Sequence, residues 1–149
     1  MIYWFTGQPA HGKTVLGKKL HQFLESNSNK PIFHVDGDDL RALTVNKDYS
    51  EQGRINNIRN AQVIAQYLHN NGHDVIVSLV APYRWLREEF KDRLGDNIRE
   101  IYVHTTEPRE RDHFKVEDYE PPIHNFIDID TTEDDPDASF LKLKIRLWK

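Results

Sequence analysis

The stretch Gly7-Gln8-Pro9-Ala10-His11-Gly12-Lys13-Thr14 decides the reading of this chain. It fits the pattern G-x-x-x-x-G-K-[ST], and its flanks fit too. The apolar run Ile2-Tyr3-Trp4-Phe5 precedes it, and Val15, Leu16, Leu20, Phe23 and Leu24 mark one face of a helix after it. Strand, glycine loop and helix in that order separate a phosphate-binding loop from a chance match. Glycines let the backbone curl until successive N–H groups point inward at an anion. The helix that follows adds its positive end. Lys13 supplies a mobile positive charge for the outer phosphates, and the Thr14 hydroxyl is placed to ligate Mg²⁺. Gly7, Gln8, Pro9, Ala10, His11, Gly12, Lys13 and Thr14 are therefore candidate contacts of a nucleoside triphosphate, with His11 either a steric filler or a donor.

Bulk properties narrow the class. At 149 residues the chain is expected to form one domain, residues 1–149, large enough for its own core. A net charge of −4 without an arginine-rich run argues against tight non-specific nucleic-acid binding. The absence of cysteine removes disulfides and thiolate metal sites. An expected first strand at Ile2 leaves no room for a signal peptide, and no apolar run has the length of a membrane span. The expectation is a soluble, cytoplasmic protein with no membrane contact.

Outward from the loop, strands and helices alternate. Ile32-Phe33-His34-Val35 reads as a second strand ending at Asp36-Gly37-Asp38-Asp39-Leu40-Arg41, followed by a looser segment from Thr44 to Gly53. Ile55, Ile58, Ala61, Ala65 and Leu68 mark a helix stopped by Asn71-Gly72. The continuous apolar run Val75 to Val80 suits a strand buried on both faces, and Pro82 is expected to open the next helix. Ile98 to His104 reads as a strand, Pro108 to Asp112 as a short helix, and Phe126 to Ile129 as a last strand. In the tail, Asp135-Pro136-Asp137 looks like a helix start, whereas Leu141 to Leu147 alternates like a strand; helix is favoured slightly. The pattern predicts an α/β fold with a parallel sheet covered on both sides, and functional groups at the carboxyl ends of its strands.

Several groups fall at that edge. Asp36, at the end of the second strand, could accept the proton of an attacking hydroxyl or hold Mg²⁺. Arg41, Arg54, Asn57 and Arg59 form a second group, whose arginines suit an anionic substrate because the guanidinium fork grips phosphate or sulfate; Arg59 is expected on a solvated helix surface. Asn46-Lys47-Asp48 is not a guanine-reading N-K-x-D, since the aspartate is one position early. The eight histidines show no metal-ligand spacing.

These residues resemble the adenylylsulfate kinase family. The resemblance rests on Trp4-Phe5-Thr6-Gly7 before the loop, on Asp36-Gly37-Asp38-Asp39-Leu40-Arg41, on Tyr49-Ser50 with Arg54 and Asn57-Ile58-Arg59, and on Val77-Ser78-Leu79-Val80-Ala81-Pro82-Tyr83-Arg84. It implies a three-layer P-loop kinase fold with five parallel strands in the order 2-3-1-4-5. The implied reaction moves the γ-phosphoryl of ATP to the 3′-hydroxyl of adenylyl sulfate, with Mg²⁺ as cofactor. Asp36 and Lys13 would be catalytic, and Thr14 and Asp36 would serve the metal, partly through water. Asp38, Arg41, Tyr49, Arg54, Asn57, Val80, Ala81 and Phe114 would face the acceptor, with Tyr49 stacking on its adenine, and Arg111 would lie against the adenine of ATP.

Departures from the family pattern sharpen the expectations. Ala81 stands where the family often has a serine, which closes any covalent-phosphate route through that position. The lid, about residues 112–122, is shortened: Asp112 reaches Tyr119-Glu120-Pro121-Pro122 almost at once, where the family inserts a lysine-rich helix. The family's amino-terminal extension is lacking, and a homodimer is left open. Two other readings fit the same residues: a kinase acting on another nucleotide or on a modified base in a polynucleotide, and a nucleotide-binding module without turnover.

Overall fold

Residues Ile2–Thr6 form strand β1, buried along its whole length. Because side chains alternate across a strand, β1 feeds two cores. Ile2 and Trp4 join one with Val75 and Val77 of β3 (Val75–Ser78). That layer is closed by α3 (Glu51–Asn70) through Ile58, Ala61 and Ala65, and by α4 (Arg84–Leu94) through Leu86, Phe90 and Leu94. Tyr3 and Phe5 face the other way, with Ile101 and Val103 of β4 (Ile98–His104) and Ile127 and Ile129 of β5 (Ile127–Asp130). Leu16, Leu20 and Leu24 of α1 (Lys13–Ser26) and Leu143 of α5 (Pro136–Leu147) cover that side. With β2 (Phe33–Asp36), the strands form one five-stranded sheet in the order β2-β3-β1-β4-β5, and every neighbouring pair is parallel. Helices on both faces and the predicted strand order are as expected. The structure, a computed structural model, describes residues 1–106 and 116–148; the expected helix at Pro108–Asp112, Arg111 and Phe114 lie outside the described residues.

Four boundaries differ from the sequence pattern for local reasons. Residues Gly37–Thr44 form a helix, α2, that apolar periodicity could not show, since Leu40 is its one buried residue. It starts because Asp36 accepts from the N–H groups of Asp38 and Asp39 at 3.0 and 3.4 Å. α3 begins at Glu51, ahead of its apolar stripe, because Ser50 caps it by accepting from Gly53 N. β3 ends at Ser78 rather than Val80, and α4 begins at Arg84 rather than Pro82. Between them the chain is still turning, with Ala81 at φ +45° and the Pro82 carbonyl bonded to Glu120 N. The alternating tail is helical, capped by Asp135 accepting from Ala138 N at 2.8 Å, with Pro136 in its first turn.

One buried ion group ties α4 to the sheet. The Arg87 and Glu100 side chains are each 1% exposed, with Arg87 Nε 2.8 Å from Glu100 Oε2, and Lys91 Nζ lies 2.8 Å from Glu100 Oε1. Removing a single member would strand a buried charge, at a cost of about 3–5 kcal/mol.

Packing beneath the phosphate loop is equally tight. A Cβ on Gly17 would stand 2.7 Å from Ser78 Oγ and 2.9 Å from His34 Cε1. Gly17→Ala gains about 1 kcal/mol of helix propensity, but overpacking outweighs it. Chemical denaturation should show a net loss of stability of about 1 kcal/mol or more with an unchanged denaturant slope; a stabilised variant would show that α1 can move off β3.

Candidate active site

The phosphate loop is shaped by three positive φ angles: Gly7 at +148°, Ala10 at +61° and Gly12 at +109°. Gly7 is also held by close approach, since a Cβ there would lie 2.1 Å from Val103 O. The loop ends at α1, whose N-cap Gly12 offers no side-chain cap and whose first turn carries no acidic residue. By contrast α2, α3 and α5 are capped by Asp36, Ser50 and Asp135. With no N-cap side chain and no acidic residue competing for it, the positive end of α1 suits an external anion. Lys13 is buried, and its Nζ donates to Gln8 O at 2.8 Å, folding back over the loop. His11 is buried too, and its carbonyl accepts from Thr131 Oγ1 at 3.1 Å.

Across from the loop, Thr14 Oγ1 donates to Asp36 Oδ2 at 3.1 Å. Asp36 spends Oδ1 on capping α2, which aims Oδ2 at the loop. Two hard oxygen donors side by side, next to a triphosphate cradle, suit Mg²⁺. Beside the loop lies a cavity of about 190 Å³ bounded by Ala10, Gly12, Val15, Thr131, Pro136 and Ser139. Ser139 Oγ is buried there with no hydrogen-bond partner among the described residues.

The acceptor-side candidates lie on α2 and α3, in the 46–49 turn and in the turn after β3. Arg54 is half-buried. Asn57 is buried; its Nδ2 reaches Gly37 O at 3.5 Å while its Oδ1 has no partner among the described residues. Arg41 is more engaged than its residue type suggested. Its Nη1 donates to Asn46 O, Asn46 Oδ1 and Asp48 O at 3.2, 3.2 and 3.0 Å. Its guanidinium also sits 4.0 Å from the Tyr49 ring centre. Arg41 therefore braces the 46–49 turn and covers one face of Tyr49, which is 63% exposed overall. Asp38 is exposed on the first turn of α2. Val80 and Ala81 follow β3, their carbonyls accepting from Thr6 Oγ1 at 2.8 Å and Arg87 Nη1 at 2.6 Å. Arg59 lies on the surface as expected, 3.4 Å from Glu89 and against Trp85.

Sequence reasoning missed several contacts that support this arrangement. His34 Nε2 lies 2.8 Å from Ser78 Oγ, which contacts Lys13 O at 3.5 Å, linking β2 and β3 to the start of α1. Gln8 bonds both backbone groups of Val116. Arg87 is buried although charged; the signal was its place beside the apolar stripe of Leu86, Phe90 and Leu94.

A glycine loop of this shape, a carboxylate facing it and a parallel sheet in this strand order define the P-loop kinase fold class. The adenylylsulphate kinase family model matches residues 1–144, and the chain belongs to that family. It is 39% identical over 101 residues to an adenylyl-sulfate kinase of Picosynechococcus sp., covering 67% of this chain and 56% of that protein. The chain thus spans little more than half the length of that relative. It is 28% identical over 144 residues to the cytidine diphosphoramidate kinase of Campylobacter jejuni, covering 94% of this chain and 84% of that protein. The fold is similar to that of the Mycobacterium tuberculosis APS kinase CysC in complex with AMPPNP and APS, with a TM-score of 0.83 at 22% identity over 99% of this chain and 97% of that one. No helix among the described residues is long and apolar enough to cross a membrane.

The His34 contact has a pH signature. Burial, the largest cause, lowers the His34 pKa below its ordinary value, with the Asp36 carboxylate opposing. A folded-state pKa below the unfolded one means the unfolded chain binds the proton more readily. The contribution is therefore present above pH about 6.5 and lost as pH falls below it. His69 is lowered for the same leading reason. His34→Gln should reduce the fall in Tm between pH 7 and 5.5, leaving the part due to His69; an unaltered fall would mean that His34 binds its proton equally well in the folded and unfolded chain.

Proposed function

We propose that the protein transfers the γ-phosphoryl of ATP to the 3′-hydroxyl of adenylyl sulfate. The observation that carries this reading is the contact of Thr14 with Asp36, a carboxylate oxygen held against the first turn of the helix that leaves the phosphate loop. Gly7 to Thr14 would hold the triphosphate, and the cavity next to Ser139 would take the base of ATP. Lys13 would swing from Gln8 O to the outer phosphates, where its charge offsets the charge that spreads over the transferred group. Mg²⁺ held at Thr14 and Asp36, partly through water, would supply further charge neutralisation. Asp36 Oδ2 would accept the proton of the attacking hydroxyl. Arg54, assisted by Arg41, would grip the sulfate-bearing end, Asn57 would orient the ribose, and the open face of Tyr49 would stack on the base. Arg111 and Phe114 retain the donor-side and acceptor-side roles implied by family resemblance. The site would lie in one domain over 1–149, with a shortened lid at about 112–122.

A second reading keeps the chemistry and changes the acceptor to cytidine diphosphoramidate. It is favoured by the Campylobacter jejuni relative, whose alignment runs over nearly the whole chain. Both acceptors offer a ribose hydroxyl and an anionic 5′ group.

The test supplies ATP, Mg²⁺ and each acceptor separately and measures phosphorylated product. Adenylyl sulfate should be the preferred substrate by kcat/KM; preference for cytidine diphosphoramidate would establish the second reading, and product from neither would overturn both. Asp36→Asn should lower kcat by about 10²–10⁴-fold with ATP binding, read by calorimetry, within about threefold of the parent. Turnover close to the parent's would remove Asp36 as the base.

A further inference from the structure

Residues Val116–Pro122 return from the lid region to β5, and their bonds are unusual in where they go. Gln8, inside the phosphate loop, donates from Nε2 to Val116 O at 2.7 Å and accepts at Oε1 from Val116 N at 2.8 Å. Its amide thus completes both backbone groups of one residue, which also fixes which end is nitrogen. Thr6, just before the loop, donates to Val80 O at 2.8 Å and so must accept from the Tyr119 hydroxyl, 2.9 Å away. Burial pushes the Tyr119 phenol well above its ordinary range, keeping it a neutral donor. Glu120 N then donates to Pro82 O at 2.9 Å, and Glu120 Oε1 accepts from Arg84 N at 2.8 Å. Finally, Arg87 donates from Nη1 to Ala81 O and from Nη2 to Glu120 O, both at 2.6 Å, while Nε is fixed by Glu100.

The same short segment is therefore bonded at one end to the loop that cradles the donor and at the other to the turn that follows β3. Ala81 in that turn holds φ +45°, a conformation that costs an L-residue energy and persists only when its surroundings over-determine it. Arg87 supplies that constraint from a fully buried position.

We propose that Val116–Glu120 is a spacer that sets the distance between the donor loop and the Val80–Ala81 turn, with Gln8 and Arg87 as its positioning residues. In-line transfer depends on sub-ångström placement of two substrates, and they are held by separate loops. The spacer ties those loops to each other, beyond what each gains from the sheet. The consequence for transfer rests on the kinase reading above; the mechanical coupling does not.

Three variants test it. Gln8→Leu keeps volume and removes both bonds to Val116. Arg87→Lys keeps a cation beside Glu100 and loses the fork. Tyr119→Phe removes a single hydroxyl and guards against a folding defect in the other two. Amide hydrogen exchange, recorded with no acceptor present, should rise at Val80 and Ala81 in Gln8→Leu, and at Gly7, Gln8 and Ala10 in Arg87→Lys, by about fivefold or more. Tyr119→Phe should show a smaller rise on both sides. Faster exchange confined to the altered side of each variant would overturn the proposal, whatever the acceptor proves to be. With the acceptor that the parent protein uses, ADP formed per phosphorylated product should rise about fivefold in Gln8→Leu and Arg87→Lys, because a misplaced acceptor yields the phosphoryl to water. A mere loss of folded protein would lower both products together and leave that ratio unchanged, and an unchanged ratio would count against the spacer. Non-additive ratios in the double variant would support coupling through the segment, since Gln8 and Arg87 share no hydrogen bond; independent effects would contradict it.

Discussion

The hydrogen bond from Thr14 to Asp36 is the contact on which the proposed chemistry depends. Thr14 belongs to the helix that leaves the phosphate loop, and Asp36 belongs to the edge strand. Their meeting requires parallel strands with β2 beside β3 and β3 beside β1, so that the ends of β1 and β2 open on the same edge. It also requires Asp36 to have a fixed rotamer, which the capping of α2 supplies by occupying its other oxygen. A helix too short to bury much surface is kept because it orients one carboxylate.

The remaining constraints work at a distance from that contact. Gly17 lets α1 sit against His34 and Ser78, so the lysine and threonine at its start are set by packing below them. Arg87 and Glu100 place a satisfied ion pair under the turn that follows β3, where an apolar pair could fill the space but could not direct hydrogen bonds at two carbonyls. Buried charge of this kind adds little net stability. Here it gives direction to a turn that carries an unfavourable φ.

Much of this was legible in the sequence, and the reasons are physical. The apolar runs at Ile2–Phe5 and Val75–Val80 read as strands, and both lie inside the sheet, the second ending at Ser78; the glycine loop between strand and helix pointed to a phosphate site. Asp36 was legible because a strand end opposite a phosphate loop is where a parallel sheet gathers its functional groups. Helix α2 was not, because its cause is a cap rather than a stripe. Arg41 was read as a substrate ligand from its charge, whereas its backbone and ring contacts depend on how the 46–49 turn folds back, which no local pattern encodes. The pairing of Gln8 with Val116 spans most of the chain, and a lone glutamine in a loop announces nothing about its partner.

The central claim is that donor phosphates and acceptor carboxylate share one point, at Thr14 and Asp36. Nuclear magnetic resonance with Mn²⁺ in place of Mg²⁺ tests it most directly, because a paramagnetic ion broadens nearby amide signals steeply with distance. On adding Mn²⁺ with a non-hydrolysable ATP analogue, the account predicts that the amide signals of Thr14 and Asp36 disappear together at the lowest ion concentration. Broadening that spares Asp36 and centres elsewhere would contradict it.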